Sequence, residues 1–368
     1  MLAPAELAAW LWLTESLAPA AVRRLLAMAG SPRAVFELPA AALDRALTAR
    51  QREALDRPPE HLDRLIFRAE AWQAQPGNGL LPLGAPDYPP RLLATVDPPT
   101  LLWLQGRREL LAAPSIAVVG SRASTTQGSD NARAFSRALA RAGYAIVSGL
   151  ALGVDAAAHE GALDGGGATI AVVGTGLDRV YPRCNEALAA RLLAAGGLIV
   201  SEYALGISAR QANFPRRNRI IVGLAQGCLV IEAAVPSGSL GTARLAVEAG
   251  RKVFAIPGSI HSTQARSRHA LIRQGAKLVE SADDVLAELS ALDRAPGAAP
   301  ATIQEGTERP HEWQMLLEAM GFAPISLDAL MARSGWPAAE LSAALLELEL
   351  AGQIARLAGQ LYQRRQRG

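Results

Sequence analysis

Lysine is almost missing from this chain: of 37 basic residues, only Lys252 and Lys277 are not arginine. Nearly all the positive charge is therefore guanidinium, which is planar, permanently charged and suited to bidentate contacts with phosphate. Cysteine is equally scarce. Cys184 and Cys228 form no CxxC pair, and no His/Cys cluster at metal spacing accompanies them, so no zinc site or disulfide framework is expected. A reducing, cytoplasmic compartment follows, with no cofactor. There is no run of about 18 apolar residues, and Met1 to Glu6 has no basic n-region, so neither a membrane span nor an export signal is expected.

Several nucleotide signatures are missing as well. Neither lysine follows a glycine, so no Gly-x-x-x-x-Gly-Lys-Ser/Thr loop exists and a P-loop ATPase is excluded. Gly174-Thr175-Gly176-Leu177-Asp178-Arg179 lacks the third glycine of a dinucleotide fingerprint, and no Gly-x-Ser-x-Gly elbow is present. What is there is ample: 368 residues at 50% hydrophobic content suffice for two or three domains with one deep core. A net charge of +3 permits a nucleic-acid partner without requiring one, so the placement of charge must decide.

Residues 1–75 read as short helices, with Leu7, Trp10, Leu11 and Leu13 followed by Leu17, Val22, Leu25 and Leu26 at helical spacing. Nine arginines through Glu70 are balanced by nine acids, which favours protein contact over a grip on DNA. Pro76-Gly77-Asn78-Gly79 reads as a linker. From Ser115 short apolar runs alternate with helical segments: Ile116 to Val119, Ala145 to Val147, Thr169 to Val173, Leu198 to Val200, Cys228 to Ile231, Val253 to Ile256 and Lys277 to Val279. Continuous apolar strands separated by helices predict a parallel sheet covered on both faces, a doubly wound α/β domain over 76–290. Residues 291–310, rich in Ala, Pro and Gly, form a second linker. Beyond it, helices over 313–320, 327–333 and 338–350 and strands over 353–356 and 360–362 give a winged-helix order over 311–368.

The strands of the central domain end in small-residue turns: Gly120-Ser121-Arg122, Ser148-Gly149, Gly174-Thr175-Gly176, Ser237-Gly238-Ser239 and Pro257-Gly258-Ser259. In a parallel sheet these ends share one edge with helix N-termini, so an anion-binding rim is expected there. Between Glu202 and Glu232 lie Arg210, Arg216, Arg217 and Arg219 with no acid, beside Asn213, Phe214 and Asn218. Such a cluster supplies charges for phosphates and a flat face for a base. Lys252, Arg266 and Arg268 sit in a second stretch free of acids, Arg251 to Val279, and are expected to ring the same edge. Asp155 and His159 have acid/base spacing, but an aspartate cap with a buried, hydrogen-bonded histidine fits the helix start better.

In this order the residues resemble the DNA-processing protein A family (DprA, also called Smf). The resemblance is carried by Val119-Gly120-Ser121-Arg122, Ser148 to Asp155 with Ala158-His159, Gly174 to Asp178 with Tyr181-Pro182, and Ser201-Glu202-Tyr203. It continues through Asn213-Phe214-Pro215 with Arg217-Asn218-Arg219, Glu232-Ala233, Ser237-Gly238-Ser239, Val253 to Gly258 and Gly275-Ala276. Departures are Gln127, Gly241, Thr263 and Ser267. The resemblance implies an extended Rossmann-like core between a helical (SAM or helix-hairpin-helix-like) N-terminal domain and a winged helix. It further implies a homodimer that binds single-stranded DNA, partners RecA in natural transformation, and performs no catalysis. The Gly120-Ser121-Arg122 turn and Phe214, Arg217, Asn218 and Arg219 would line the strand. Two other readings compete. A lysine-decarboxylase-like nucleotide-cleaving enzyme needs a glutamate where Leu245 stands. A duplex-DNA regulator would have to read DNA with a helix that carries Glu340, Glu347 and Glu349 and no base.

Overall fold

A computed structural model describes residues 1–233, 238–258 and 265–293, and beyond those 316, 320, 325–334, 336, 340, 341, 344, 345, 348, 354–357 and 361–364. The chain divides into two units, Met1–Pro296 and Gly297–Gly368. The first contains a nine-stranded sheet, ordered β1-β2-β6-β5-β4-β3-β7-β8-β9. Its strands are β1 (Asn78–Pro82), β2 (Leu101–Gly106), β3 (Ser115–Val119), β4 (Ala145–Ser148), β5 (Thr169–Val173), β6 (Leu198–Ser201), β7 (Gly227–Val230), β8 (Lys252–Ala255) and β9 (Lys277–Leu278). From β6 to β9 all pairings are parallel.

The seven strands from β3 onward match the apolar runs to within about a residue or two at either end; for β3 to β8 this is because strands buried on both faces read as continuous hydrophobic stretches, whereas the two residues of β9 are exposed at the sheet edge. Their residues alternate between faces: Ile116 and Val118 pack on one side of β3, Ala117 and Val119 on the other. Helices α8 (Thr126–Arg141) and α9 (Val154–Asp164) cover the first side, and α11 (Asn213–Leu224) and α12 (Gly238–Glu248) the second. The chain turns from one flank of β3 to the other, since β4 pairs on one side and β7 on the other. The C-terminal ends of β3 and β7 are therefore the point where strand order reverses, the usual place for a ligand in an open α/β sheet.

Two strands depart from the expected linker and all-parallel sheet. β1 pairs antiparallel with β2, and β2 antiparallel with β6, so the edge beyond β6 is mixed. Asn78-Gly79 begins an edge strand instead of a linker, because Leu80 and Leu81, next along it, bury their side chains on opposite faces of the sheet. The six N-terminal helices, α1 (Pro4–Ser16) to α6 (Leu62–Gln73), share one apolar core with Leu80, Leu101, Trp103, Ala171 and Val173 of the sheet.

In the second unit β10 (Ile325–Ser326), β11 (Ile354–Leu357) and β12 (Leu361–Arg364) form a sheet ordered β10-β12-β11, with helix Leu327–Ser334 between the first two. Leu316, Met320, Leu330, Leu341, Leu345 and Ile354 make its core. The hairpin was legible in sequence; β10, only two residues long, was not.

Candidate nucleic-acid interface

A cleft of about 410 Å³ opens where the strand order reverses. Gly120, Ser121 and Arg122 line it from the end of β3, Ala151 and Asp155 from beyond β4, Phe214, Arg217 and Asn218 from α11, and Gly238, Ser239 and Thr242 from α12. Eight of the sequence-selected residues thus converge from segments more than 100 positions apart.

The Gly120-Ser121-Arg122 turn is held by its neighbour. Val154 N donates to Ser121 O at 3.1 Å, which joins the start of α9 to the turn. Gly153 has φ 72°, and a Cβ there would stand 2.4 Å from Ser121 O and 2.7 Å from Arg122 O, so only glycine lets the two loops meet. Arg122 projects outward, exposed, and forms no salt bridge among the described residues. Its guanidinium lies 5.0 Å from the centroid of the Phe214 ring, a cation–π distance. The Tyr181 ring stands 5.4 Å from Phe214 and is tilted 34° to it. Tyr181 is half exposed and adds an aromatic face that the charge pattern does not mark; its sequence signal is the Tyr181-Pro182 pair after β5.

Beneath this surface the polar groups are committed to one another. Arg217 is 4% exposed. Its Nη1 donates to Gly149 O and Val172 O, its Nε donates to Asn218 Oδ1 at 3.0 Å, and its Nη2 lies 3.5 Å from Asp155 Oδ2. Burial pushes the Arg217 guanidinium down from its ordinary value and the Asp155 carboxyl up, each opposed by the charge of the other. Asn218 Nδ2 donates to Thr242 Oγ1 at 2.8 Å, and Thr242 Oγ1 donates to Gly238 O at 3.0 Å. A chain of contacts therefore ties α9, α11 and α12 together across the floor.

Several residues expected to offer free charge do not. Arg217 is a buried clamp, as described. Arg219 is buried too, its Nη2 on Glu202 Oε1 and its Nε 3.0 Å from Asp97 Oδ2. Arg216 remains 45% exposed, with Nε 3.7 Å from Glu202 Oε2. The cluster looked unneutralised because its acids, Asp97 and Glu202, precede the stretch in sequence and reach it only through the fold. Arg268 is 6% exposed and donates to Ile231 O at 2.8 Å and Ile256 O at 3.2 Å. Lys252 begins β8 and so stands at the opposite edge of the sheet from the cleft, paired with Glu288 at 2.5 Å. Ser148 is buried on Val118 O at 2.7 Å, Gly149 receives Arg217, and Asn213 Nδ2 donates to Gly174 O at 2.9 Å behind the aromatic surface. Arg210 is exposed on the approach to α11. Ser237 and the side chain of Arg266 lie outside the described residues.

His159 sits in the core as a hydrogen-bonded side chain. It is fully buried; Leu150 N donates to its Nε2 at 3.3 Å, and Nδ1 lies 2.7 Å from Thr169 Oγ1. Because the Thr169 hydroxyl donates to Ile146 O at 2.7 Å, the proton of the ring is on Nδ1. The histidine holds Leu150 in the left-handed region at φ 58°, uncommon for a side chain of that size, and Asn185 Nδ2 holds its carbonyl at 2.9 Å. Asp155 falls at the second position of α9, with Gly153 at the cap. Burial, aided by the Arg217 charge, pushes the imidazole down to about 3. In the unfolded chain it titrates near its ordinary value, so the unfolded state binds the extra proton between about pH 6.5 and 3. Stability from this residue is complete above that window and is lost as pH falls through it. His159→Gln, which keeps an acceptor and a donor, is expected to flatten the fall in unfolding free energy by up to about 1.4 kcal/mol per pH unit in that window. An unchanged slope in acid denaturation contradicts the buried neutral histidine.

Residues 79–290 match the family model of DNA recombination-mediator protein A. The chain belongs to that family. Residues 297–360 match the DprA winged helix domain, so the fold is an extended parallel-core α/β unit followed by a winged helix. Protein Smf of Escherichia coli K12 is 44% identical over 293 residues, 78% of each chain. DNA processing protein DprA of Streptococcus pneumoniae R6 is 49% identical over 201 residues, 55% of this chain and 71% of that one. The X-ray structure of DprA from Streptococcus pneumoniae superposes with a TM-score of 0.68 at 37% identity, covering 78% of this chain and 98% of that one. DNA processing protein A from Helicobacter pylori, whose structure describes a single-stranded DNA binding mode, gives 0.52 at 30% identity, covering 58% of this chain and 96% of that one. Among the described residues no helix is long and apolar enough to cross a membrane.

Proposed function

We propose that this chain binds single-stranded DNA without regard to sequence, through the cleft at the ends of β3 and β7. The observation that carries the reading is the exposed Arg122 guanidinium set against Phe214 and Tyr181 above a floor whose polar side chains are committed to one another. Arg122 supplies a phosphate contact and the rings supply a face on which any base can stack. Asp155, Asn218 and Thr242, the groups beneath that face best able to read a base edge, already hold Arg217 and one another. Recognition then rests on backbone charge and stacking, and neither depends on the base.

The family and its single-strand-binding Helicobacter member support the same reading. On it, the chain acts in the cytoplasm as a homodimer, protects incoming DNA and loads RecA during natural transformation, and catalyses no reaction. The cleavage alternative has less support: Leu245 occupies the place of the required glutamate, and Glu248 lines a different cavity with Val247 and Lys252. The test is fluorescence anisotropy with oligo-dT, oligo-dC and mixed-sequence strands of equal length, beside the matched duplex, with sedimentation for the dimer and RecA filament assembly as the partner readout. Affinities for the strands within a few-fold of one another, and a weaker duplex, are expected. Preference for one base, or base release from nucleoside monophosphates, overturns the reading.

A further inference from the structure

Glu232 follows β7 by two residues and is 5% exposed, with its carboxylate at the first turn of α8. Thr125 N donates to Oε2 at 2.9 Å and Thr125 Oγ1 donates to Oε1 at 2.6 Å. Thr125 caps α8, its Oγ1 accepting from Gly128 N at 3.0 Å. A Cβ on Gly128 would stand 2.2 Å from the Glu232 carboxyl carbon and 2.3 and 2.6 Å from its oxygens, so that first turn leaves room for the carboxylate only because it carries a glycine.

This place has a known use in open α/β sheets: the first strand-to-helix turn, at the point where strand order reverses, receives the phosphates of a nucleotide on helix N–H groups. Here two oxygens of one side chain take the N–H and O–H that a phosphate would take. We infer that Glu232 is the specificity-determining residue that closes the nucleotide-phosphate position of this fold, at the start of α8 behind the cleft, so that the strand-end turn there refuses mononucleotides and dinucleotides and the cleft is left to a ligand laid across the Gly120-Ser121-Arg122 turn. The sequence already lacked a dinucleotide fingerprint, and the structure adds a resident anion where the phosphate would bind. The inference concerns the cleft of the proposed function, but its test uses no DNA, so either can fail without the other.

The experiment follows the unfolding temperature of the full chain against inorganic phosphate, and separately ADP, with chloride adjusted to constant ionic strength, for wild type, Glu232→Gln and Glu232→Ala. Ligand that binds only the folded state raises that temperature saturably. Glu232→Ala, with Thr125 N–H and O–H vacated, is expected to gain about 3 °C or more in tens of millimolar phosphate. Wild type and Glu232→Gln, whose side chains fill the position, are expected to gain no more than the chloride controls, and ADP is expected to follow phosphate. A flat response from Glu232→Ala, or a rise in wild type with either ligand, overturns the inference. Should Glu232→Ala be unfolded in chloride, folding on addition of phosphate supports it; remaining unfolded while Glu232→Gln folds overturns it.

Discussion

Arg217→Met lowers the stability of the folded chain by about 3–5 kcal/mol, the usual cost of removing one partner from a buried ion pair. The substitution roughly keeps the volume but strands four groups at once: the carbonyls of Gly149 and Val172, the Asn218 side-chain oxygen and the Asp155 carboxylate. Gly149 is itself shaped by the contact, since a Cβ there would stand 1.9 Å from the Arg217 guanidinium. The double substitution Arg217→Met with Asp155→Leu is expected to recover part of the loss, because an apolar replacement of both charges is far less costly than an orphaned one. Chemical denaturation of both variants checks this. A change under about 1 kcal/mol for Arg217→Met would return Arg217 to the role of a free phosphate contact.

Phe214→Ala weakens single-strand binding by about 1–3 kcal/mol, a loss of roughly 5- to 150-fold, if its ring carries a stacked base. Phe214→Leu separates stacking from bulk, since leucine keeps apolar volume and loses the flat face; the loss should persist. Arg122 lies over the same ring, so the effects of Phe214→Ala and Arg122→Ala should not add, and a double-mutant cycle should return a coupling of about 0.5 kcal/mol or more. Unchanged affinity in both Phe214 variants removes the ring from the binding surface.

Strands β3 to β8 are legible in sequence because a parallel sheet buried on both faces leaves unbroken apolar runs, and the run Thr169 to Val173 coincides with β5 at both ends. The edge strands were not: β1 begins in Asn78-Gly79, a pair that signals a turn wherever no partner strand is known, and its partner β2 lies more than 20 residues on. At the site, the Gly120-Ser121-Arg122 turn, Gly238, Ser239 and Phe214 line the cleft, while the Ser148-Gly149 and Gly174-Thr175-Gly176 turns do not; such turns are visible in sequence because strand ends and helix starts are local features. The fate of each arginine was hidden. Asp97 and Glu202 neutralise Arg216 and Arg219, and Asp155 reaches Arg217, all through contacts made by the fold. Spacing also could not tell Lys252 at the start of a strand from a residue at its end, which decides the edge of the sheet on which it stands. Counting charge along a chain identifies a surface only after the buried partners are subtracted, and here that subtraction leaves Arg122, over the Phe214 ring, and Arg210, on the approach to α11, as exposed arginines with no salt bridge among the described residues.

The most direct measurement is binding of labelled single strands and matched duplex across a salt series, for wild type and Arg122→Ala. The account predicts a clear single-strand preference, a log–log salt slope of about −0.7 for each phosphate contacted, and a mutant that binds more weakly to every sequence with a slope shallower by about one contact. Equal or negligible binding to both forms of DNA, or an Arg122→Ala slope that matches wild type, would contradict it.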